Sequence, residues 1–86
     1  MMQIFAVKDK QVDAFLQPFF SPTLGAALRS LMEVVNDPQH TFAKYPADYI
    51  LYTLGTFDDT NGVITAADIP DPVVNLSDLK KDQISK

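Results

Sequence analysis

Few side chains in this 86-residue sequence could perform acid–base or nucleophilic chemistry. His40 is the single histidine, the residue type that most often exchanges protons near neutral pH. The serines at positions 21, 30 and 77 have no histidine–aspartate pair beside them in the sequence. We therefore expect His40 to be a solvated loop residue and the protein not to be an enzyme. A small enzyme that depends on His40 is the least favoured alternative.

A metal or cofactor site is not expected either. The sequence has no cysteine and one histidine, which excludes thiolate sites and histidine clusters. Segment 58–62 holds two aspartates and an Asn-Gly pair, but its spacing is too short for a calcium loop and the distal glutamate is missing. Because Asn-Gly favours a tight turn, this segment predicts a hairpin turn.

The basic residues are the candidates for nucleic-acid binding. Phosphate recognition needs clustered lysine and arginine, and exposed aromatic rings can stack on bases. The candidate residues are Lys8, Lys10, Arg29 and Lys44, with Tyr45 as the stacking ring. The alternative is that Arg29 pairs with Glu33 one helical turn later and the basic residues do not act together.

The net charge is −4, and it is unevenly distributed along the chain. Acidic and basic residues balance in residues 1–45, so the whole excess of acid lies in residues 46–86. An acidic protein is a poor non-specific ligand for nucleic acid because phosphate groups repel it. A role on DNA would need a local basic patch, a dimer or a protein intermediary.

Hydrophobic patterning predicts two β-hairpins. Residues 3–8 are β-branched and aromatic, and residues 12–16 alternate well enough for a second strand that ends at Pro18. Residues 48–57 are the clearest strand, with apolar groups on both faces. The Asn-Gly turn then leads into a partner strand at residues 63–67.

A single amphipathic helix is predicted between the hairpins, over residues 22–36. Ser21 suits the N-cap position and Pro22 the first helical position. Apolar residues recur at helical spacing along one side: Leu24, Leu28, Leu31 and Val35. This side of the helix is predicted to pack on a sheet.

The predicted fold class is α+β, in the order β-β-α-β-β. A small antiparallel sheet of two hairpins carries the amphipathic helix on one face. Residues 1–70 are predicted to form this single domain, and residues 71–86 an extended, mobile C-terminal tail. The predicted core consists of Phe5, Val7, Phe15, Leu24, Leu28, Leu31, Val35, Leu51 and Phe57.

A two-layer domain leaves one face of its sheet uncovered, which predicts a homodimer. The candidate interface residues are Ile50, Tyr52 and Leu54, from the clearest strand. Phe19 and Phe20 are further candidates, because an exposed phenylalanine anchors an interface. No small-molecule substrate is expected, and no apolar run approaches the roughly 20 residues of a membrane span.

The order of several short motifs resembles one phage family. Over residues 3–62 the motifs are Ile-Phe-Ala-Val at 4–7, Pro-Phe-Phe at 18–20, Gly-Ala-Ala-x-Arg at 25–29, Val-Asn-Asp-Pro at 35–38 and the run from Lys44 to Asp58. This set resembles the small nonstructural protein of gokushovirus-type microviruses, which is grouped with the microvirus C protein.

The resemblance implies a nonstructural protein that is made in the host cytoplasm and acts in viral DNA replication and packaging. It implies a switch to single-stranded genome synthesis through binding of DNA, single-stranded or replicative-form, or of the replication protein or procapsid. The alternative is an acidic adaptor that docks on a replication or capsid protein without touching DNA. The surface candidates that match the family pattern are Arg29, Lys44, Tyr45 and Asp48.

Overall fold

The computed structural model describes residues 1–80 of the chain. Five strands and two helices follow one another in this part of the chain: β1 (Met2–Asp9), β2 (Ala14–Phe15), β3 (Phe19–Ser21), α1 (Leu24–Val35), α2 (Thr41–Lys44), β4 (Tyr49–Asp58) and β5 (Val63–Asn75). Short 3-10 turns at Pro46–Asp48 and Leu76–Leu79 precede β4 and follow β5.

All strand pairs of the sheet are antiparallel. β4 pairs with β1 on one side and with β5 on the other, while β2 and β3 pair one after the other with the second side of β1. The helix α1 packs against one face of this sheet. The predicted α+β fold, a helix on a small antiparallel sheet, is confirmed.

Proline 18 lies between two short strands, β2 and β3, where the sequence predicted one strand at residues 12–16. Lys8 of β1 pairs with Phe15 of β2, and Phe5 of β1 pairs with Phe19 of β3. Between these two pairs, the segment that joins β2 to β3 has one residue more than the facing part of β1. Pro18 has no N–H to donate to the ladder, whereas the backbone N–H of Leu16 donates to the Val7 carbonyl over 2.8 Å. The strand therefore resumes at Phe19, where the sequence predicted none.

The helix α1 begins two residues later than predicted. Thr23, with φ −145° and ψ 161°, is the N-cap, and its Oγ1 accepts a 3.0 Å hydrogen bond from the backbone N–H of Ala26. Ser21 is instead buried in β3, where it pairs with Gln3 and its Oγ donates to the Thr23 carbonyl. The predicted Ser21 cap is therefore wrong, because strand pairing holds that residue in the sheet.

The core lies between α1 and one face of the sheet. Its largest fully buried side chains are Phe5, Val35, Leu51 and Leu76. The predictions of Phe5, Val7, Leu31, Val35 and Leu51 as core residues are confirmed, and Leu24 and Leu28 pack at the margin. The prediction of Phe57 is wrong, because the bulge in β4 places it on the opposite face of the sheet. Phe15 was predicted to be core and is 41% exposed, because period-two alternation places it on the opposite face of the sheet.

Strand β5 extends well beyond the predicted residues 63–67. Asp71 pairs with Thr53 and Asn75 with Ile50, and the side chain of Leu76 is 0% exposed. Leu76 packs in the core with residues of β1, β4 and α1. The expected boundary at residue 70 is therefore wrong for 71–80, which fold with the domain; residues 81–86 lie outside the described residues.

Glycine 55 marks a double irregularity in β4. On the β1 side the pairing passes from Phe5–Thr53 to Ile4–Gly55, so Leu54 is left out of register. On the β5 side four residues, 67–70, stand between the partners of Thr53 and Gly55. Gly55 has φ +152°, and a Cβ there would overlap the Thr65 carbonyl oxygen. The bulge therefore requires glycine at this position.

We expect Gly55→Ala to lower the free energy of unfolding by more than about 2 kcal/mol, since strained backbone and steric overlap add together. Gly62→Ala is the matched control, because Gly62 also has positive φ (+79°) but no atom lies within 4 Å of a Cβ there. We expect the control to cost about 1 kcal/mol. Urea unfolding of both variants measures the difference, and equal costs would contradict this account of the bulge.

We expect Leu76→Ala to destabilise the protein by about 2–5 kcal/mol, because it leaves a cavity in the core. Ile69→Ala is the control: Ile69 lies in β5, the strand just before Leu76, but is 73% exposed, so its truncation should change stability by less than about 0.5 kcal/mol. Thermal unfolding measures both values. A Leu76→Ala variant as stable as the control would show that residues 71–80 do not close the core.

Candidate interaction surface

The two faces of the sheet are both apolar. Along β1, Phe5 and Val7 point toward α1, and alternation places Ile4 and Ala6 on the other side. Strand register extends this second side, here called the outer face, across the sheet. The outer face consists of Ile4, Ala6, Lys8, Phe15, Phe20, Ile50, Tyr52, Phe57 and Ile64.

Two aromatic pairs cover the outer face. Phe15 meets Tyr52 edge-on with ring centroids 5.0 Å apart, and Phe20 meets Phe57 in the same way at 5.5 Å. Beneath these rings Ala6 is 0% exposed, although the helices of residues 1–80 pack on the opposite face. The edge-to-face geometry is favourable for rings and gives the outer face a fixed shape.

Several large apolar side chains of the outer face are only half covered. Phe20 is 49% exposed, Phe15 41% and Ile64 61%, and the three lie on different strands of one continuous surface. Contiguous apolar surface of this kind, with aromatic side chains at its centre, is typical of a site that binds another macromolecule.

The predicted interface residues divide between the faces. Phe20, Ile50 and Tyr52 lie on the outer face, as an uncovered sheet surface requires. The ring of Phe19 stacks on Phe5 at 5.7 Å on the α1 side, so Phe19 is not part of this surface. Leu54 stands out of register at the bulge, and alternation assigns it to neither face.

Lysine 8 is the basic residue of the outer face, and it is already paired. Its Nζ lies 3.0 Å from Asp13 Oδ1 and 5.6 Å from the centroid of the Phe15 ring. The hydrogen bond to Asp13, followed by the charge of that carboxylate, raises the pKa of Lys8. The ammonium group remains charged, but Asp13 neutralises its field toward a phosphate group.

Lys10, Lys44 and Tyr45 surround one turn at the end of the sheet. The backbone N–H of Lys10 donates to the Asp48 carbonyl over 2.8 Å, and that of Asp48 donates to the Tyr45 carbonyl over 3.0 Å. The side chain of Asp48 accepts a hydrogen bond from Gln11 at 3.2 Å, so its carboxylate lies at the same turn. The exposed ring of Tyr45 therefore has acidic as well as basic neighbours.

The predicted basic residues do not form one patch. Arg29 is exposed on α1, whereas Lys8 lies on the outer face, so the sheet separates them. At the end of the sheet, Lys8 is paired with Asp13, and the backbone of Lys10 meets that of Asp48. These nearby carboxylates offset part of the lysine charge, which weakens phosphate binding.

His40 has a structural role at α2. Its Nδ1 accepts a 3.1 Å hydrogen bond from the backbone N–H of Phe42, and its ring is exposed beside the Phe42 ring.

In segment 58–62 the Asp58 and Asn61 side-chain oxygens accept backbone N–H groups of the turn, so the predicted hairpin turn is confirmed. No group of three or more potential metal ligands occurs within residues 1–80.

The aromatic pairs are the feature that sequence reasoning missed. Phe15 and Phe57 were assigned to the core by residue type, because the register that brings them opposite Tyr52 and Phe20 depends on pairing between distant strands. Alternation along 3–8 assigns Ile4 to the face opposite Phe5, but strict alternation along 48–57 would place Phe57 on the core face with Leu51. The bulge at Leu54 moves Phe57 to the outer face, and the isolated Gly55 in the strand pattern is the signal that could have indicated it.

Tyrosine 49 closes the core next to the 3-10 turn at Pro46–Asp48. It is 8% exposed, and its ring lies 4.6 Å from that of Phe42. Burial raises the pKa of the Tyr49 phenol, and the carboxylates of Asp9 and Asp48 add to the shift. The folded protein therefore holds the phenol proton more tightly than the unfolded chain does.

Comparison with known proteins identifies a family model that matches this chain. A family model described as Phage ORF5 protein matches residues 2–79. The match extends from the first residue of β1 to the last residue of the 3-10 turn that carries Leu76. No curated protein and no solved structure matches the chain. In residues 1–80 the helices are all too short or too polar to cross a membrane.

We expect the free energy of unfolding to fall as the pH rises above about 10, because the raised pKa values of Tyr49 and Lys8 stabilise the fold only while both groups are protonated. Tyr49→Phe should make this alkaline loss smaller, with little change at pH 8. Urea titrations at pH 8 and pH 11 test the expectation. An unchanged alkaline slope in the variant would contradict the role of Tyr49.

Proposed function

The chain belongs to the Phage ORF5 protein family, and from this premise we propose that it is a non-enzymatic phage nonstructural protein acting in viral DNA replication and packaging. It works by binding, in the host cytoplasm, and switches DNA synthesis toward single-stranded genomes. The resemblance to the gokushovirus nonstructural protein and the microvirus C protein supports this role. A protein with such a role needs contact surfaces and no bond-making groups.

The outer face is the surface through which the protein binds its partner. Half-exposed Phe20 beside Phe57 is the observation that carries this assignment, because the ring pair offers apolar area in a fixed arrangement. A replication protein or a procapsid protein is the proposed partner. Binding there removes apolar surface from water without a rearrangement of the sheet.

Charge supports a protein partner over direct DNA binding. The net charge is −4, Lys8 is paired with Asp13, and the sheet lies between Lys8 and Arg29. A phosphate backbone needs several unpaired cations on one surface, because most of its affinity comes from released counterions. A protein partner with an apolar patch has no such requirement.

Single-stranded DNA is the second candidate ligand, and one observation favours it. Exposed aromatic rings on an open antiparallel sheet are a platform on which bases stack, with Lys8 beside Phe15 for a phosphate group. Lys10, Arg29, Lys44 and Tyr45 remain predicted contacts for this candidate. The two ligands differ in salt dependence and in sensitivity to nuclease.

A pull-down from infected cells, with and without nuclease, tests the proposal. We expect wild-type protein to retain a viral replication or capsid protein after nuclease treatment, and Phe20→Ser to reduce that retention at least about tenfold. Ile69→Ser is the matched control, because it removes an exposed isoleucine outside the outer face and should leave retention unchanged. Equal retention by all three proteins would refute the assignment of the outer face.

Loss of every partner after nuclease would favour the DNA candidate. Single-stranded DNA binding of the isolated protein should then weaken steeply with salt. The double variant Arg29→Ala/Lys44→Ala tests whether these two basic residues contribute to DNA binding in addition to the aromatic rings. Unchanged affinity and an unchanged salt slope would exclude both residues from the DNA contact.

A further inference from the structure

The exposed side of α1 carries a second surface, distinct from the outer face. A shallow groove of about 480 Å³ runs along the helix. It is lined by residues spaced at whole helical turns: Gly25, Leu28, Arg29, Met32, Glu33 and Asn36. This set, here called the helix stripe, lies on the opposite side of the sheet from Phe20 and Phe57.

Arg29 and Glu33 of the helix stripe have opposite charges and no ion pair within residues 1–80. Both are exposed and stand one helical turn apart. Arginine preceding glutamate at this spacing is the weaker order for a pair within a helix. Each charge is therefore open to a partner outside the chain.

Gly25, Leu28 and Met32 form the apolar part of the helix stripe, and this part projects little from the helix. Met32 is 40% exposed and Leu28 is half-buried beside it. Gly25 has no side chain, and the nearest atom to a Cβ at that position is Thr23 Oγ1 at 3.9 Å. An approaching helix therefore meets two apolar side chains and a flat end.

We propose that the helix stripe binds the helix stripe of a second copy of this chain, with the two α1 helices antiparallel. A two-fold axis between Ser30 and Leu31 brings Arg29 of each copy beside Glu33 of the other. The same operation sets Leu28 against Met32 of the second copy. The stripe is thus complementary to itself in charge and in apolar contact.

The flanks of the helix agree with this symmetry. At 100° per residue, Leu28 and Met32 lie on one flank of the stripe and Arg29 and Glu33 on the other, with Gly25 and Asn36 between them. A two-fold axis perpendicular to antiparallel helices keeps each flank on its own side. The apolar residues therefore meet apolar residues, and the charged residues meet opposite charges.

The size of α1 sets the strength of the contact. Its 12 residues span roughly 18 Å, and a helix pair of that length buries less than the ~800 Å² per partner of a standard interface. The dimer is therefore weak and concentration-dependent. This contact replaces the sheet-based homodimer expected through Ile50, Tyr52 and Leu54, and it leaves the outer face free.

Sedimentation equilibrium of a charge-swap series tests the proposal. We expect wild type to dimerise between about 1 µM and 1 mM. Arg29→Glu and Glu33→Arg should each weaken dimerisation at least about tenfold, because each places like charges together twice. The combined variant should recover to within about fivefold of wild type, since the swap restores both intermolecular ion pairs.

The controls separate the helix stripe from the outer face and from misfolding. Circular dichroism of each variant should match wild type, because both charges are exposed. Phe20→Ser should leave the dimer unchanged. A monomer throughout the concentration range, single swaps without effect, or a combined variant no better than the single ones would each overturn the proposal. A dimer lost only in Phe20→Ser would place the interface on the sheet and overturn it as well.

Discussion

The structure depends on one constraint: its central strand is buried from both sides, but residues 1–80 contain one long helix to cover it. Residues 4–7 of β1 are all buried, so Phe5 and Val7 require cover on one face and Ile4 and Ala6 on the other. The helix α1 covers the first face. The second is covered by side chains of the sheet itself, through the paired rings of Phe15, Phe20, Tyr52 and Phe57. The outer sides of these rings stay partly exposed within residues 1–80, and they form the surface that we propose binds a partner.

The same need to cover apolar side chains explains why the segment after β5 packs against the core. A domain of this size buries only about 60% of its unfolded surface, so every large apolar side chain in the core counts. Leu76 packs in the core with residues of α1 and β4. The segment around it is tied to the end of α1, where Asn36 Nδ2 donates to the Leu79 carbonyl, and to α2, where Lys80 Nζ donates to the Ala43 carbonyl. If the segment that carries Leu76 did not pack against α1 and the sheet, Val35 and Leu51 would be open to water.

Local signals predicted the elements whose geometry is decided locally. The Asn-Gly turn, the strand at 48–57 and the end of α1 near Asn36 follow from neighbouring residues, and the structure confirms them. The start of α1 does not, because Ser21 and Thr23 are both good caps and only the pairing of Ser21 with Gln3 decides between them. The predicted strand at 63–67 stopped short of Pro70 and Pro72, whereas β5 continues through both, because β5 is an edge strand, where a missing N–H need not cost a ladder bond. The surface was harder to predict: basic residues were identified by type, but their separation by the sheet and the neutralisation of Lys8 by Asp13 depend on distant pairings.

Strand β1 pairs with β3, which is near it in the sequence, and with β4, which is far from it. This arrangement has a consequence for the folding rate. Its pairing with β3 is local, as is that of β4 with β5, so each hairpin can form early. The pairing of β1 with β4 closes a loop that contains both helices, and this closure loses chain entropy before the ladder compensates for it. We therefore expect the meeting of two preformed halves to limit the folding rate, and folding to be slower than that of a helical bundle of equal length.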